Sequence, residues 1–334
     1  MTVAMKPPHA LNGMNMDNIS LLREARRVFA EGGNISQHFK HKNLSEADQL
    51  KVIEYAYDLQ SGSYTQAVNA DAAVRDNKRE WGGRIGQLLS QCGAQSAIEA
   101  GVGEASTLRY IAAASSATMQ FAGFDISLSR LCYARQFLDN DAVSLFTGDL
   151  GAIPVIDNAY DAVLSNHSLE SNGGREREIL SELLRISRRY LILVEPDYES
   201  GSPQQKKRME SFGYVRDLRS HLQSLGAHVL RDEAWELNLN PLNAASLIIV
   251  EKPNPCCWNE RFDDPKNAPL ASPFSGEPLQ HRHEYYYAKN DGLAFPVIDG
   301  FPCLLREQGV VATHLNQYAA GYRETIATSL KTAA

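Results

Sequence analysis

Between residues 97 and 250, short apolar runs alternate with amphipathic stretches, and this alternation constrains the fold more than any other feature of the chain. The runs at 97–100, 119–125, 142–146, 160–164 and 190–194 have strand length and end in glycine or polar turns. Between them, Leu128, Leu131, Ala134, Phe137 and Leu138, and later Ile179, Leu183, Leu184 and Ile186, recur at helical spacing. Strands separated by helices predict an α/β fold, a mostly parallel sheet covered on both faces. The end of the pattern differs. Runs at 227–230 and 245–250 are separated by 14 residues, too few for a helical crossover, so these two strands should pair antiparallel.

The flanks read differently from this centre. Residues 1–18 have the composition of a loose arm, and 19–30 carries Leu22, Ala25, Val28 and Phe29 at helical spacing. Ser45-Glu46-Ala47-Asp48 has the form of a capping box opening a helix that runs through Val52, Ile53, Ala56 and Leu59 to Ser61-Gly62. A third helix ends near Leu89. Past Lys252, Pro253, Pro255, Pro265, Pro269, Pro273 and Pro278 mark a linker entering a β-rich module. Three regions are expected: a helical lid or substrate region over 1–90, the α/β domain over 91–252, and a small module over 253–334. At 334 residues the chain exceeds one average domain.

Composition excludes several functions. With 33 Lys plus Arg against 40 Asp plus Glu, the net charge of −7 disfavours a nucleic-acid binder held by bulk electrostatics. Neither a run near 20 apolar residues nor a signal-like N-terminus is found, so no membrane span is expected and a cytoplasmic location is. Five scattered cysteines are too few for a disulfide framework.

The chemistry is concentrated at the ends of the strands. Glu99-Ala100-Gly101-Val102-Gly103 is a strand-to-helix turn in which glycines allow a sharp bend and close ligand approach, although tight packing alone asks for the same residues. Asp125 ends the second strand, where an acid bonds a ribose diol or caps the helix entered at Ile126-Ser127. Asp149, in Gly148-Asp149-Leu150, adds a second acid at the same edge. Ala105 and Ser106 stand where a dinucleotide motif has its third glycine, which points away from a pyrophosphate. The ligand so described has ribose and adenine but no pyrophosphate: S-adenosylmethionine rather than NAD.

These residues, with Asp161-Ala162-Val163 and the terminal hairpin, occur in the order that class I S-adenosylmethionine-dependent methyltransferases show. Segment 95–252, about half of the chain, resembles that family. The resemblance implies a seven-stranded Rossmann-like sheet with an antiparallel last strand. It also implies roles: Gly101 and Gly103 for the methionine moiety, Asp125 for the ribose, Asp149 with Leu150 for the adenine, and Glu99 and Ile126 as further cofactor-binding residues. Tyr64 resembles the tyrosine that many such enzymes place over the cofactor, and a packing tyrosine fits as well. Asn166 and His167 follow the fourth strand, where these enzymes meet sulfonium and substrate. The segment Ser165–Glu170 is not the Asn-Pro-Pro-aromatic motif of enzymes that methylate base or glutamine amines. His167 is the candidate general base, with a structural wall residue as the alternative.

The C-terminal module resembles the small zinc-ribbon-like activator domain that partners methyltransferases of tRNA and translation factors, carried by Ser272–Leu279 and Phe295–Leu305. Serines at 272 and 275 stand where that family has its first cysteine pair, so a metal-free relative is expected. Cys256-Cys257, His281 and His283 do not supply the missing set, and Tyr285-Tyr286-Tyr287 reads as a strand with alternate rings inward. The leading reading is methylation of a small-molecule oxygen or nitrogen nucleophile, a sugar or secondary-metabolite group among them. The alternatives are an RNA or protein methyltransferase that uses the C-terminal module for recognition, and a catalytically silent scaffold. A membrane partner is not expected, and homo-oligomerisation is left open.

Overall fold

The computed structural model describes residues 17–40, 42–138, 142–255, 269–282 and 284–315. They form two compact units that divide after Ser61. In the first, α1 (Asn18–Ala30), α2 (Ile35–Phe39) and α3 (Glu46–Leu59) bury Leu21, Ala25, Val28, Ile35, Phe39, Val52 and Ala56 together. The buried stripe of α1 is Leu21, Ala25 and Val28; Leu22 is half-buried and Phe29 is 42% exposed. Ala25 and Val28 are buried as expected, and Leu21 rather than Leu22 or Phe29 completes the i, i+4, i+7 stripe. Ser45 caps α3 as anticipated, its hydroxyl accepting from the Asp48 amide at 3.1 Å.

The second unit opens with α4 (Ser63–Ala70) and α5 (Ala72–Gln91); α5 is the third helix expected to end near Leu89, and α4 is an additional short helix before it. The sheet follows: β1 (Ser96–Ala100), β2 (Gln120–Asp125), β3 (Ser144–Thr147), β4 (Tyr160–Asn166), β5 (Ser187–Pro196), β6 (His228–Ala234) and β7 (Ala245–Glu251). Its helices are α6 (Leu108–Ala114), α7 (Leu128–Leu138), α8 (Glu176–Ile186), α9 (Pro203–Phe212) and α10 (Leu218–Ser224). Ala105 is in the left-handed region (φ 54°) and extends the loop, so α6 starts only at Leu108.

Strand order is β3-β2-β1-β4-β5-β7-β6. The first five strands are mutually parallel, while β7 runs antiparallel to both β5 and β6. This is the expected seven-stranded sheet with its reversed last strand. Alternate residues feed opposite faces, as the strand pleat requires. Ile98, Phe124, Val163, Leu191 and Ile248 pack under α8 residues Ile179 and Leu183. Ala97, Phe121, Leu164, Ile192 and Ile249 pack with Trp81, Ile85, Leu108 and Leu131. Connections leave β1 toward β2 on one side and β4 toward β5 on the other, which puts the topological switch point, where open α/β sheets bind ligands, at the carboxyl ends of β1 and β4.

The C-terminal segment forms a second sheet from β8 (Gln280–Arg282), β9 (Tyr285–Ala288), β10 (Leu293–Ile298), β11 (Phe301–Pro302) and β12 (Val310–Val311). It covers the β3 edge: the Leu304 amide donates to Thr147 Oγ1 at 2.8 Å, and Thr147 donates to Gln308 Oε1 at 2.8 Å. Leu270, Ala288, Phe295 and Leu304 belong to the same core as Phe146, Ile153 and Val155. Tyr287 is fully inward, as the strand reading expects. Ser272 and Ser275 both donate to Asp291 Oδ2, at 2.5 and 2.8 Å, and Glu277 accepts the amides of Asn290 and Asp291. Cys256, Cys257 and His283 lie outside the described residues. Among the described residues no helix is long and apolar enough to cross a membrane, and no group of three His, Cys, Asp or Glu is placed to hold a metal.

Candidate active site

The carboxyl ends of β1, β2, β4 and β5 bring most of the residues singled out from sequence to one rim. Glu99, near the end of β1, is 3% exposed. Its Oε1 accepts from Asn166 Nδ2 at 2.8 Å, while its Oε2 is buried with no hydrogen-bond partner. Burial pushes the Glu99 carboxyl up to about 7, against the lowering effects of the Asn166 hydrogen bond and the Lys78 charge. The Trp81 indole donates to Asn166 Oδ1 at 3.1 Å, so α5, β4 and β1 are tied through one amide.

Gly101 and Gly103 both have positive φ (64° and 55°), which turns the chain off β1. At Gly101 a Cβ would lie 2.3 Å from the Ser168 Cβ, so this glycine lets the loop after β1 press against the loop after β4. Close packing against Ser168 by itself requires glycine at 101. At Gly103 the nearest atom to such a Cβ is an Arg130 guanidinium nitrogen at 3.4 Å. Asp125 accepts the Gly103 amide on Oδ2 and the Ser127 amide on Oδ1, both at 2.9 Å. It braces the glycine loop and the entry to α7 at once, with Ile126 half-buried between.

Asp149 and Leu150 follow β3. Asp149 is ion-paired with Arg175 at 3.1 Å, and Arg175 also reaches Glu178 at 3.1 Å. Leu150 packs partly buried on the main core. Tyr64 lies at the start of α4, 45% exposed, with the Arg130 guanidinium 4.8 Å from its ring centre. Its segment is fastened to the glycine loop by Glu104, whose carboxylate accepts the Gly62 amide (2.9 Å), the Thr65 amide (2.7 Å) and the Thr65 hydroxyl (2.8 Å).

His167 follows β4 with φ 54°, a left-handed conformation unusual for a residue with a side chain. Its amide donates to the Val194 carbonyl at 2.9 Å, which locks it to β5. Its Nδ1 faces Glu170 Oε2 at 3.2 Å, and its ring centre is 5.6 Å from that of Trp81. Burial alone would pull the imidazole down, but the Glu170 hydrogen bond and the Glu170 and Glu195 charges outweigh it, so His167 titrates above the ordinary histidine value.

Several residues of this rim carried no motif. Glu195, at the end of β5, accepts the Ser165 hydroxyl at 2.5 Å and the amides of Ser168 and Leu169 at 3.0 and 3.2 Å, which shapes the His167 loop. Burial raises it to about 7 despite the His167 charge and those hydrogen bonds. An acid closing the apolar run of β5 was the available signal. Lys78 and Trp81, one turn apart on α5, had none: Lys78 donates to Thr107 Oγ1 at 3.0 Å and lies 4.8 Å from the Trp81 ring centre. Asp161, quoted with the resemblance, sits at the opposite end of the sheet. It accepts the amides of Gln95 and Ser96 at 2.9 Å, a structural role at the start of β1.

An orphaned buried carboxylate oxygen on Glu99 invites a cationic amine, which fits the amino-acid end of S-adenosylmethionine. Residues 98–192 match the family model described as "Methyltransferase domain". The chain carries an S-adenosylmethionine-dependent methyltransferase domain.

The domain has solved neighbours at low identity. Magnesium protoporphyrin IX methyltransferase from Synechocystis PCC 6803, with bound SAH, is 16% identical with a TM-score of 0.48, over 60% of this chain and 99% of that one. A putative methyltransferase from Bacillus halodurans is 15% identical (TM-score 0.41), over 51% of this chain and 98% of that one. A putative sarcosine dimethylglycine methyltransferase from Galdieria sulphuraria is 14% identical (TM-score 0.44), over 57% and 91%. No curated protein matches this chain.

Proposed function

We propose that the domain methylates an oxygen or nitrogen nucleophile of a small molecule, with His167 as general base. The observation that carries this reading is the His167 side chain, one-fifth exposed at the carboxyl edge of β4 beside the Glu99–Asn166 pair. A hydroxyl or amine acceptor must lose a proton during or after attack, and an imidazole at this edge is suited to take it. Of the cations near the rim, Arg175 is paired with Asp149 and Glu178, Lys78 donates to Thr107 and Arg130 lies over the Tyr64 ring, which argues against a phosphate-tracking stripe.

Bound S-adenosylmethionine supplies an electrophilic methyl on a sulfonium centre. In this reading Glu99, Gly101, Gly103 and Asn166 hold its methionine moiety, Asp125 and Ile126 its ribose, Asp149 and Leu150 its adenine, and Tyr64 covers it. Asp125→Ala removes the acceptor for the ribose hydroxyls, bonds to a charged group worth about 1.5–3 kcal/mol each. Calorimetry on this variant is expected to show at least a tenfold weaker Kd for S-adenosylmethionine; an unchanged Kd would take Asp125 out of the site.

With methyl-labelled cofactor, label should pass to small hydroxyl or amine acceptors, and label recovered in RNA or protein instead would overturn the acceptor class. His167→Ala is expected to lower turnover by ~10²–10⁴-fold with cofactor affinity retained. Turnover within a few-fold of wild type at saturating acceptor leaves positioning alone as the mechanism. The C-terminal module fits a metal-free relative of the zinc-ribbon-like activator. Its two serines at the expected cysteine positions share Asp291 as acceptor, so hydrogen bonds join the two turns that a metal would otherwise clamp. Elemental analysis finding one zinc per chain would refute that part.

A further inference from the structure

His167 and Glu170 face each other across one turn of the loop after β4, Nδ1 to Oε2 at 3.2 Å, both side chains about one-fifth exposed. The loop that carries them is over-determined. Glu195 binds the amides of Ser168 and Leu169, Ser165 bridges Glu195 and the Ser168 hydroxyl, and the Glu170 carbonyl accepts the Val215 amide at 3.0 Å. Such a loop holds the imidazole and the carboxylate in one arrangement, including the left-handed φ at His167.

We infer that Glu170 is the positioning residue of His167: it takes the Nδ1 hydrogen, sets the tautomer, and leaves Nε2 as the atom that accepts the acceptor's proton. The inference rests on the base role proposed for His167. A neutral imidazole has one nitrogen that donates and one that accepts, and the bond made by the first decides which is free. In the transfer, the acceptor's lone pair forms the new bond to the methyl carbon while the carbon–sulfur bond breaks, its electron pair left on sulfur. The acceptor's proton moves to Nε2. The resulting imidazolium keeps Nδ1–H on Glu170, whose negative charge stabilises it, and releases its proton to water after the product departs. Glu170 touches no reacting atom.

The charges around the ring agree with this assignment. Glu170 from the same loop and Glu195 from β5 favour the imidazolium, Lys78 from α5 opposes it, and the Trp81 ring packs beside it. The net of these charges raises the imidazole above its ordinary value, which makes it a readier proton acceptor than a free histidine.

The test is a nitrogen-15 and proton NMR titration of the His167 ring in the full chain, its signal assigned by loss in His167→Gln. Wild type should show the Nδ1–H tautomer. In Glu170→Gln the titration midpoint should fall by ~1–3 pH units, and Glu170→Asp should restore most of it. Calorimetric binding of S-adenosylmethionine serves as the folding control and should stay near wild type in both variants. A wild-type ring carrying its hydrogen on Nε2, or a midpoint unmoved in Glu170→Gln, would overturn the assignment. Should Glu170→Gln not fold, the wild-type tautomer and the Glu170→Asp titration still decide. These readouts need no acceptor. Normal turnover in His167→Ala would instead defeat the base role alone, so the two failures are separable.

Discussion

At the scale of single residues, the site is governed by buried carboxylates that lack full compensation. Glu99 has a raised carboxyl, near 7, because burial outweighs Asn166 and Lys78. A raised acid is protonated in the folded protein over a range where the unfolded chain has already released its proton. The stability it contributes is therefore present below its ordinary value of 4.5 and is lost as pH rises through about 7. Glu195 acts in the same direction over the same window. The ligand-free protein should melt at progressively lower temperature from pH 4.5 to 7 on their account, and Glu99→Gln should flatten that slope. Cofactor affinity should run the opposite way, since a cationic amine asks for ionised Glu99. Its Kd is expected to weaken by up to about tenfold per pH unit below the Glu99 midpoint, and calorimetry in buffers of different ionisation heats would detect the released proton. A pH-independent Kd in wild type would exclude Glu99 as the partner of that amine.

At the scale of elements, the helix α4 is started by a residue far away in sequence. Its N-cap, Gly62, has no side chain to receive the first amides. Glu104 supplies the missing acceptor from the glycine loop, satisfying Gly62, Thr65 and the Thr65 hydroxyl at once. Glu104→Ala leaves two buried amides without acceptors, which costs about 1–3 kcal/mol for each group so orphaned. We expect a lower Tm and loss of hydrogen-exchange protection at residues 62–66, with protection of β4 and β5 unchanged. Retained protection at 62–66 would show that α4 does not depend on Glu104. This coupling also explains how the glycine loop, itself mostly buried, is held beside Tyr64.

At the scale of the whole second unit, the C-terminal sheet and the methyltransferase sheet share one core. Phe295 is fully buried and belongs to the cluster that contains Phe146, Val163 and Leu191. The module also covers β3, which would otherwise present an unpaired edge. Phe295→Ala should therefore destabilise the entire unit by about 3–5 kcal/mol. In thermal or denaturant unfolding, the near-ultraviolet signal of the packed Trp81–Trp235 pair and the far-ultraviolet signal should shift together. An early separate transition that leaves the tryptophan signal in place would mean that the module folds on its own.

The sequence alone determined the α/β class, the seven strands, the reversed last strand and the acidic and glycine positions at the rim. These depend on local period, turn chemistry and connection length, all of which act within a few residues. The family resemblance of the segment that follows the fourth apolar run singles out His167 and Asn166. Tertiary structure decided which face α1 buries, that Gly101 is needed for contact with Ser168, and that Asp161 belongs to the far end of the sheet. It decided as well that Glu195, Glu104, Lys78 and Trp81 join the site, across sequence separations from 28 residues (Glu195 to His167) to 89 (Lys78 to His167). No periodicity records such meetings. They arise when parallel strands align their carboxyl ends, and the electrostatics of a buried carboxylate depend on those neighbours rather than on the residues beside it in the chain.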